Sequence, residues 1–366
     1  MHLVINASEI GRQRGGNETF IAGLTEGLAQ VENVPDVSLL TCEWSSNARS
    51  YPFPQYNIGK YSQLPFFLWQ QSLALRKLKA DWYVSNFFLP PLLPSSRCKG
   101  AVIVHDLSFR AHPEYFPRTV AWYMRWLTGL AIQQADLVCT VSEFSRQELY
   151  RFYPSYKGEV HVVPNGVSTQ YQPGTTPTDP ITLAKYTIKP PYIFALGNIH
   201  PRKNLARLLD AYLQLQQHRT DLPPMVWSGH PRWESDDLLN KAQQAGVQFT
   251  GFIDQADLPA FYRQATMLVY PSLYEGFGLP PVEAMACGTP SVVSNTTSLP
   301  EVVGDAALAV DPMDVSAIAD AMARLLDTPH LRDVLVEAGL SHVKSYTWPN
   351  TAECLLMGIN HTNTRG

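Results

Sequence analysis

The stretch YPSLYEGFGLPPVEAMACGTP, residues Tyr270 to Pro290, contains the signals that decide the fold of its half of the chain. A short apolar run leads into it and predicts a strand that passes into a loop containing Gly276 and Gly278. Pro280 and Pro281 then open a helix, since a first-turn N–H would have no partner within the helix. The order strand, glycine-rich loop, helix predicts an anion site, where backbone N–H groups and the positive end of a helix dipole face the loop.

Two carboxylates frame this predicted site. Glu275 lies on the loop, and Glu283 is expected in the first turn of the helix, with seven residues between them. Carboxylates do not bind phosphate but accept hydrogen bonds from hydroxyl groups. The arrangement therefore suits a sugar joined through a diphosphate to a ribose. A purely structural explanation stays open, because the helix dipole alone favours glutamate in a first turn and strand–loop–helix units occur in any α/β protein.

The whole stretch resembles the Glu-x7-Glu signature of retaining glycosyltransferases of the GT-B fold, in particular sequence family four, the group one glycosyltransferases that use mannosyl or glucosyl donors. The resemblance implies that Glu275 contacts the donor sugar in the catalytic site and that Glu283 holds the ribose hydroxyls of the nucleotide. It also implies that the intervening loop binds the donor, through Gly276, Phe277, Gly278 and Leu279.

A second glycine-rich turn follows the first predicted strand of the chain and contains Gly15 and Gly16. Such a turn allows a ligand to approach backbone N–H groups, but a flexible turn without a ligand explains it equally well. The GxGxxG fingerprint of dinucleotide sites is absent. The turn is similar to the N-terminal glycine loop of the same transferases, which implies that Gly15 and Gly16 face the donor phosphates and the acceptor.

A histidine follows the continuous apolar run at residues 101–104, which predicts a strand buried on both faces of a parallel sheet. Ligands of open α/β folds bind at the carboxyl ends of strands, where His105 and Asp106 lie. A His–Asp pair can also simply fix a strand end. The stretch resembles the family's histidine beside the donor sugar, which implies a catalytic-site role for His105 and leaves Asp106 as a secondary candidate.

Two cations break a local rule in GNIHPRKN, residues 197–204, between a predicted strand and a predicted helix. Arg202 and Lys203 are expected at a helix N-terminus, where each positive charge costs about 0.3–1 kcal/mol. A bound anion would offset this cost. Alternatively, both side chains point into solvent and no anion is bound. The motif resembles the family's Arg and Lys that neutralise the donor diphosphate, which implies that role for both residues.

Two aromatic-rich segments leave a choice open. Residues 64–82 combine aromatic bulk with Arg76, Lys77 and Lys79, and residues 118–135 contain Trp122, Tyr123 and Trp126. Each predicts either a core helix or a helix on an anionic membrane surface. The core helix is favoured for the first segment because it has few basic residues for a surface helix. The second could also line an acceptor groove.

The composition excludes several classes of protein. The chain has 366 residues, which suggests two domains, and its net charge of −4 gives no electrostatic case for nucleic acid. Five widely spaced cysteines without a CxxC pair indicate reduced thiols. The N-terminus has no signal-peptide pattern, and no apolar run reaches the ~18 residues that span a bilayer. We expect a cytoplasmic protein, with peripheral contact at the inner face of the membrane left open.

Strands and helices alternate in both halves, which predicts two doubly wound α/β domains. The resemblance implies the GT-B architecture, two Rossmann-like domains with an interdomain cleft. The predicted domains are residues 1–170, an acceptor domain completed by a crossover helix at 346–360, and residues 180–345, the nucleotide-sugar donor domain. The tail HTNTRG at residues 361–366 is expected to be disordered.

The resemblance implies a retaining transferase that moves a hexose from a nucleoside-diphosphate sugar, of the GDP-mannose or UDP-glucose type, to a glycan or lipid-linked glycan acceptor in polysaccharide synthesis. The chain contains no Asp-x-Asp motif, so we expect no metal and no other cofactor, with fixed positive charge stabilising the departing diphosphate. Two alternatives remain: a Rossmann-type oxidoreductase, and a transferase-like protein that binds nucleotide sugars without activity.

Overall fold

The computed structural model describes residues 1–11, 15–43, 51–59, 69–86, 88–90, 98–230 and 236–365. It divides into two compact units. The first contains Met1–Gly166 and Tyr346–Gly366, and the second contains Val167–Ser345. Each has the alternating order of strands and helices that the sequence predicts.

The described part of the first unit begins with seven strands and five helices. In chain order these are β1 (His2–Asn6), α1 (Gly16–Leu28), β2 (Asp36–Thr41), β3 (Gln55–Asn57), α2 (Gln71–Leu78), β4 (Trp82–Asn86), β5 (Lys99–Val104), α3 (Ser108–Ala111), α4 (Arg118–Gln134), β6 (Leu137–Thr140), α5 (Glu143–Phe152) and β7 (Val160–Val162). The predicted N-cap of α5 is confirmed, since Ser142 Oγ accepts a hydrogen bond from Ser145 N–H at 3.0 Å.

The strands of the first unit form one parallel sheet in the order β3-β2-β1-β4-β5-β6-β7. The chain runs outward in one direction from β1 and in the other from β4, so the strand order reverses between these two strands. Successive residues of β1 point to opposite faces of the sheet, and Leu3, Val4 and Ile5 are all fully buried. Parallel sheets bind ligands at the carboxyl ends of the strands beside such a reversal.

The described part of the second unit contains six strands and eight helices. In chain order these are α6 (Asp179–Lys185), β8 (Ile193–Leu196), α7 (Leu205–Gln216), β9 (Met225–Ser228), α8 (Asp236–Gln244), β10 (Gln248–Gly251), α9 (Leu258–Gln264), β11 (Met267–Tyr270), α10 (Leu279–Ala286), β12 (Ser291–Ser294), α11 (Leu299–Val303), β13 (Leu308–Val310), α12 (Val315–Asp327) and α13 (Pro329–His342).

The second sheet is also parallel, in the order β10-β9-β8-β11-β12-β13. Ile193 and Phe194, adjacent in β8, belong to separate apolar clusters, so the sheet carries a packed core on each face. Here the strand order reverses between β8 and β11. The residues that follow these two strands therefore meet at the position where an open α/β sheet binds ligands.

The C-terminal helix belongs to the first unit and is longer than predicted. It is α14 (Trp348–Arg365), which packs against α1. Gly23 and Gly27 of α1 make room for it, since a Cβ at Gly23 would lie 1.9 Å from the Trp348 ring. The prediction of a disordered tail is wrong, because Asn363 Oδ1 accepts hydrogen bonds from Trp82 Nε1 and Lys99 Nζ, each at 3.2 Å.

The predicted helix over residues 64–82 is wrong at its end. Within the described part, α2 ends at Leu78 because Lys79 adopts a left-handed conformation with φ 53°. Trp82 is instead the first residue of β4, a central strand between β1 and β5. The aromatic and β-branched residues at the start of β4 suit a buried strand. The helical pattern of the preceding segment therefore does not continue into them. Residues 64–68 of this prediction lie outside the described residues.

Candidate functional site

A buried ionic cluster lies where the sheet of the second unit reverses. Glu275 follows β11, and its carboxylate meets two cations from the segment that follows β8. Lys203 Nζ donates to Glu275 Oε1 at 2.6 Å, and Arg202 Nη1 donates to Glu275 Oε2 at 2.7 Å. The Tyr270 hydroxyl donates to Glu275 Oε1 at 2.8 Å and contacts Lys203 Nζ. The structure thus brings together three residues that lie up to 73 positions apart.

The two cations are held by a short 3-10 turn, Pro201–Lys203, which precedes α7. His200 Nδ1 accepts from Arg202 N–H at 3.2 Å, and the Lys203 side chain lies over Gly197, where a Cβ would come within 3.0 Å of Lys203 Cε. The cations were expected at the N-terminus of the following helix. They instead lie in this turn, because the left-handed Asn204 (φ 58°) separates it from α7.

Glu275 is an ionised carboxylate at neutral pH. Its burial alone would raise the pKa, but the Arg202 and Lys203 charges outweigh that effect and lower the pKa to about 2. The side chains of these three residues are between 10% and 21% exposed, so water screens their charges weakly. Two cations and one anion leave a net charge of +1, and the cluster is suited to a further anion.

The loop before α10 has a defined shape. Gly278 has a φ of 104°, and a Cβ there would lie 2.5 Å from Leu299 Cδ2. Behind the loop, Ser298 Oγ lies 3.0 Å from the Glu275 carbonyl oxygen and 2.9 Å from that of Phe277. These contacts fix the backbone that presents Glu275.

The start of α10 differs from the sequence-based expectation. The helix begins at Leu279, one residue before the two prolines, because the left-handed Gly278 ends the loop there. Glu283 consequently lies in the second turn, and its prediction in the first turn is wrong. Pro280 and Pro281 also remove two of the four N–H groups that a helix N-terminus offers to an anion.

The second carboxylate of the motif has different surroundings from the first. Glu283 Oε2 accepts a hydrogen bond from the Tyr262 hydroxyl at 2.7 Å, and Tyr171 packs edge-on against the Tyr262 ring at 5.9 Å. Burial raises the pKa of Glu283 to about 7, although the hydrogen bonds from the two tyrosines oppose that rise. Near neutral pH Glu275 is therefore ionised, whereas Glu283 is only partly ionised. The ribose-binding role of Glu283 stays a prediction.

Replacing Glu283 with glutamine should stabilise the protein at pH 8. In the unfolded chain the carboxyl titrates near 4.5, and in the folded chain near 7, so folding loses stability as the pH rises through this interval. Glu283→Gln removes the charge and keeps an acceptor for Tyr262. We expect the free energy of unfolding to increase on the order of 1–3 kcal/mol at pH 8. Urea unfolding at pH 5 and pH 8 checks this.

The matched control is Glu337→Gln, which changes an exposed glutamate on α13. It should leave the unfolding free energy nearly unchanged at both pH values. A Glu283→Gln effect of equal size at pH 5 and pH 8 would contradict the assignment of a neutralised, buried carboxyl.

In the first unit, His105 follows β5 and is 8% exposed. Its Nε2 lies 3.0 Å from Asn86 Oδ1, and its ring meets Phe20 edge-on at 4.7 Å. Burial lowers the pKa of His105 to about 4 despite the opposing charge of Asp106. The imidazole is therefore neutral at physiological pH and can donate from Nε2 to the Asn86 amide oxygen.

Asp106 has a structural contact that accounts for its position. Its Oδ1 accepts from Ser108 N–H at 2.9 Å and from Ser108 Oγ at 2.6 Å, at the start of α3.

The glycine turn lies after β1, one of the two strands at the reversal of this sheet. Gly15 has a φ of 88°, which favours glycine, and α1 begins at Gly16. Residues 12–14 of the turn lie outside the described residues.

Sequence reasoning missed three side chains that hold these carboxylates and a fourth that holds the backbone carbonyls of Glu275 and Phe277. They come from separate segments and are Tyr171, Tyr262, Tyr270 and Ser298. Tyr270 ends a predicted strand, so the rule that ligands collect at strand ends could have indicated it. The contact of Tyr262 with Glu283 spans 21 residues and follows no local spacing.

The fold and this site define a glycosyltransferase of the GT-B architecture, and comparison with known proteins confirms the class. A family model described as "Glycosyl transferases group 1" matches residues 182–342, and one described as "Glycosyltransferase Family 4" matches residues 14–171. The chain belongs to the group 1 glycosyltransferases. It is 36% identical over 297 residues to the "O-antigen chain mannosyltransferase B" of Escherichia coli, a match that covers 80% of this chain and 76% of that protein.

Two further similarities agree with this assignment. The chain is 31% identical over 273 residues to the "Serotype-specific mannosyltransferase WbdA" of Escherichia coli, with 71% of this chain covered but only 33% of that longer protein. The sucrose-phosphate synthase structure from Thermosynechococcus elongatus superposes with a TM-score of 0.77 at 20% identity, covering 100% of this chain and 99% of that chain. The predicted fold class is therefore confirmed, and family membership disagrees with the oxidoreductase alternative.

Two features are absent from the part of the chain that the structure describes. No cluster of three or more His, Cys, Asp or Glu side chains suited to a metal ion is found among the described residues. No helix in that part of the chain is long and apolar enough to cross a bilayer. Metal independence and a cytoplasmic location both stay predictions.

Proposed function

We propose that the chain transfers a hexose from a nucleoside-diphosphate sugar to a saccharide or lipid-linked saccharide acceptor in O-antigen-type polysaccharide synthesis. The transfer retains the anomeric configuration and requires no metal. The observation that carries this proposal is the buried cluster of Arg202, Lys203 and Glu275 at the reversal of the second sheet. The names of the two Escherichia coli relatives support mannose as the sugar and GDP-mannose as the first donor to test, with UDP-glucose as its competitor.

The two cations supply the charge that a departing diphosphate needs. Arg202 and Lys203 are already oriented by Glu275 and Tyr270 through hydrogen bonds. Preorganised cations stabilise developing negative charge without reorganising during the reaction. They take the place that a divalent cation occupies in other transferases. The loop from Gly276 to Leu279 follows Glu275 directly and completes the proposed donor site.

Glu275 suits a role as a hydrogen-bond acceptor and a source of negative charge. With its pKa lowered to about 2, it has no proton to give at neutral pH and is a poor general acid. An ionised carboxylate accepts hydrogen bonds from sugar hydroxyls and stabilises the positive charge that develops at the anomeric carbon. Glu275 is therefore a positioning and charge-stabilising residue.

The proton balance of the proposed transfer needs no protein base. The acceptor hydroxyl oxygen bonds to the anomeric carbon, the bond from that carbon to the diphosphate oxygen breaks, and the hydroxyl proton passes to the leaving phosphate. His105, neutral because burial lowers its pKa to about 4, offers hydrogen bonds to the donor sugar without adding charge. In this proposal Gly15 and Gly16 allow close approach of the donor phosphates to the backbone.

Calorimetric titration tests the proposal directly. The purified chain in EDTA is titrated with GDP-mannose, UDP-glucose, ADP-glucose and the corresponding bare nucleotides. We expect one nucleotide series to bind in EDTA, because Arg202 and Lys203 provide the positive charge. The transferred sugar is then identified by incubating that donor with lipid-linked saccharide acceptors. Binding that appears only after a divalent cation is added would overturn metal independence, and binding of no nucleotide sugar would overturn the proposal.

A further inference from the structure

An exposed aromatic surface on the first unit is not used by the proposed reaction. On α4, three aromatic side chains point into solvent: Trp122 is 67% exposed, Trp126 is 53% exposed and Tyr123 is 46% exposed. The Trp122 and Trp126 rings stack in parallel, with centroids 6.3 Å apart and an angle of 3° between their planes. A contiguous patch of exposed apolar side chains commonly marks an interaction site, whereas single exposed apolar residues are ordinary.

A second helix extends the same side of the unit. Trp69, just before α2, is 60% exposed, and Leu73 within it is 62% exposed, one helical turn further on. Leu75 of α2 and Ile132 of α4 are buried in one apolar cluster, so the two helices cover the same face of the sheet. Their outward residues therefore lie on one side of the first unit. We name these five the aromatic face: Trp69, Leu73, Trp122, Tyr123 and Trp126.

The charged residues within the two segments that carry the aromatic face have a single sign. Arg76, Lys77 and Lys79 are exposed at the end of α2, and Arg118 is exposed at the start of α4. Neither residues 69–79 nor residues 118–134 contain an aspartate or glutamate, although the whole chain has a net charge of −4. This pattern complements an anionic surface.

Helix stability explains only some of these charges. Arg76 and Lys77 lie in the last turn of α2, where the helix dipole favours cations. Arg118 lies in the first turn of α4, where the dipole opposes a cation. The acidic residues that flank α4 have other contacts, since Glu114 pairs with His112 at 3.0 Å and Asp136 accepts from Gly100 N–H at 2.8 Å. A bound anionic partner would offset the unfavourable interaction of Arg118 with the helix dipole.

We propose that the aromatic face docks on an anionic phospholipid bilayer. Tryptophan and tyrosine prefer the level of the headgroups, where the ring enters the apolar layer and the polar atom stays hydrated. Basic residues beside them are attracted to anionic headgroups. Two helices with exposed apolar side chains and basic ends, free of acidic residues, match this chemistry better than they match a soluble glycan, which needs no cations. The docking is peripheral and does not depend on which sugar is transferred.

Vesicle flotation with the full-length chain tests this docking. The vesicles contain about one-third phosphatidylglycerol and two-thirds phosphatidylcholine, and neutral vesicles contain phosphatidylcholine alone. We expect the chain to float with the anionic vesicles, and to bind the neutral ones about tenfold more weakly. The double variant Trp122→Ala/Trp126→Ala should weaken binding to anionic vesicles about tenfold or more. The triple variant Arg76→Gln/Lys77→Gln/Arg118→Gln should weaken it similarly and reduce its sensitivity to salt.

The matched control is Met357→Ala, which removes an exposed apolar side chain (61% exposed) from α14 in the same unit. It should bind vesicles as the unchanged chain does. No flotation of the unchanged chain, equal binding to neutral vesicles, or full binding by the tryptophan variant would each overturn the proposal. Nucleotide-sugar titration of the tryptophan variant keeps the two proposals separate, since lost vesicle binding with normal donor binding leaves the proposed function intact.

Discussion

Lys203→Ala should reduce kcat/KM for the nucleotide-sugar donor about 10²–10³-fold. Lys203 Nζ donates hydrogen bonds to Glu275 and Tyr270, so the ammonium group is held in place before a diphosphate binds. Removing it changes the net charge of the cluster from +1 to 0, with Arg202 and Glu275 left to pair with each other. The site then loses its preference for an anion, and the loss should appear in the donor dissociation constant measured by calorimetry as well as in turnover.

Two further variants make this prediction specific. Lys203→Gln keeps hydrogen-bonding groups towards Glu275 and Tyr270 but has no charge, so it should lose donor binding to a similar extent while staying folded. Lys185→Ala is the matched control, because it removes a lysine that is 56% exposed and pairs with Asp257 in the same unit, away from Arg202 and Glu275. Unchanged donor affinity in a folded Lys203→Gln variant would remove Lys203 from the diphosphate site.

Much of this arrangement could be predicted from local sequence. The strand before Glu275, the glycine-rich loop and the helix after it follow from apolar runs broken by glycine and proline. Arg202 and Lys203 stood out because a predicted helix start disfavours cations, but the structure places both in the 3-10 turn before α7. Local spacing thus indicated the elements and the residues of the site, but not the helix starts, because left-handed Asn204 and Gly278 shift both.

Contacts between distant segments could not be predicted in this way. No spacing rule joins Tyr262 to Glu283, and only the packing of α9 against α10 brings them together. Nor does a motif show that Glu275 is ionised while the pKa of Glu283 is raised to about 7. Both are buried glutamates, and the difference arises because cations surround one and tyrosines the other.

The same limit applies to the C-terminal tail and to α4. Polar residues near a terminus predict disorder, but Asn363 is held by Trp82 and Lys99 from strands at the other end of the sequence. For α4, an apolar helix pattern does not show which aromatic residues face the core. The structure exposes Trp122 and Trp126 and buries Leu127 and Ile132, so the segment is both a core helix and an exposed aromatic surface.

Glu275→Gln should separate binding from turnover, in contrast to Lys203→Ala. Glutamine has nearly the same shape but no charge, so the net charge of the cluster rises from +1 to +2. Electrostatic attraction for the donor diphosphate should be retained or increased. The variant cannot stabilise positive charge at the anomeric carbon, so kcat should decrease about 10²-fold or more. Steady-state kinetics with calorimetry of the donor nucleotide measure the two effects independently.

The pH dependence adds a second test of the same residue. The charges of Arg202 and Lys203 outweigh the effect of burial and lower the pKa of Glu275 to about 2. Protonation of Glu275 should therefore not limit the activity of the unchanged chain at any pH between 5 and 8. Glu275→Gln should therefore lower kcat by the same factor throughout that range, and exposed Glu337→Gln should lower it at no pH. A loss confined to one end of the range would mean that Glu275 exchanges a proton during turnover, and an unchanged kcat would mean that its charge does not act on the reacting carbon.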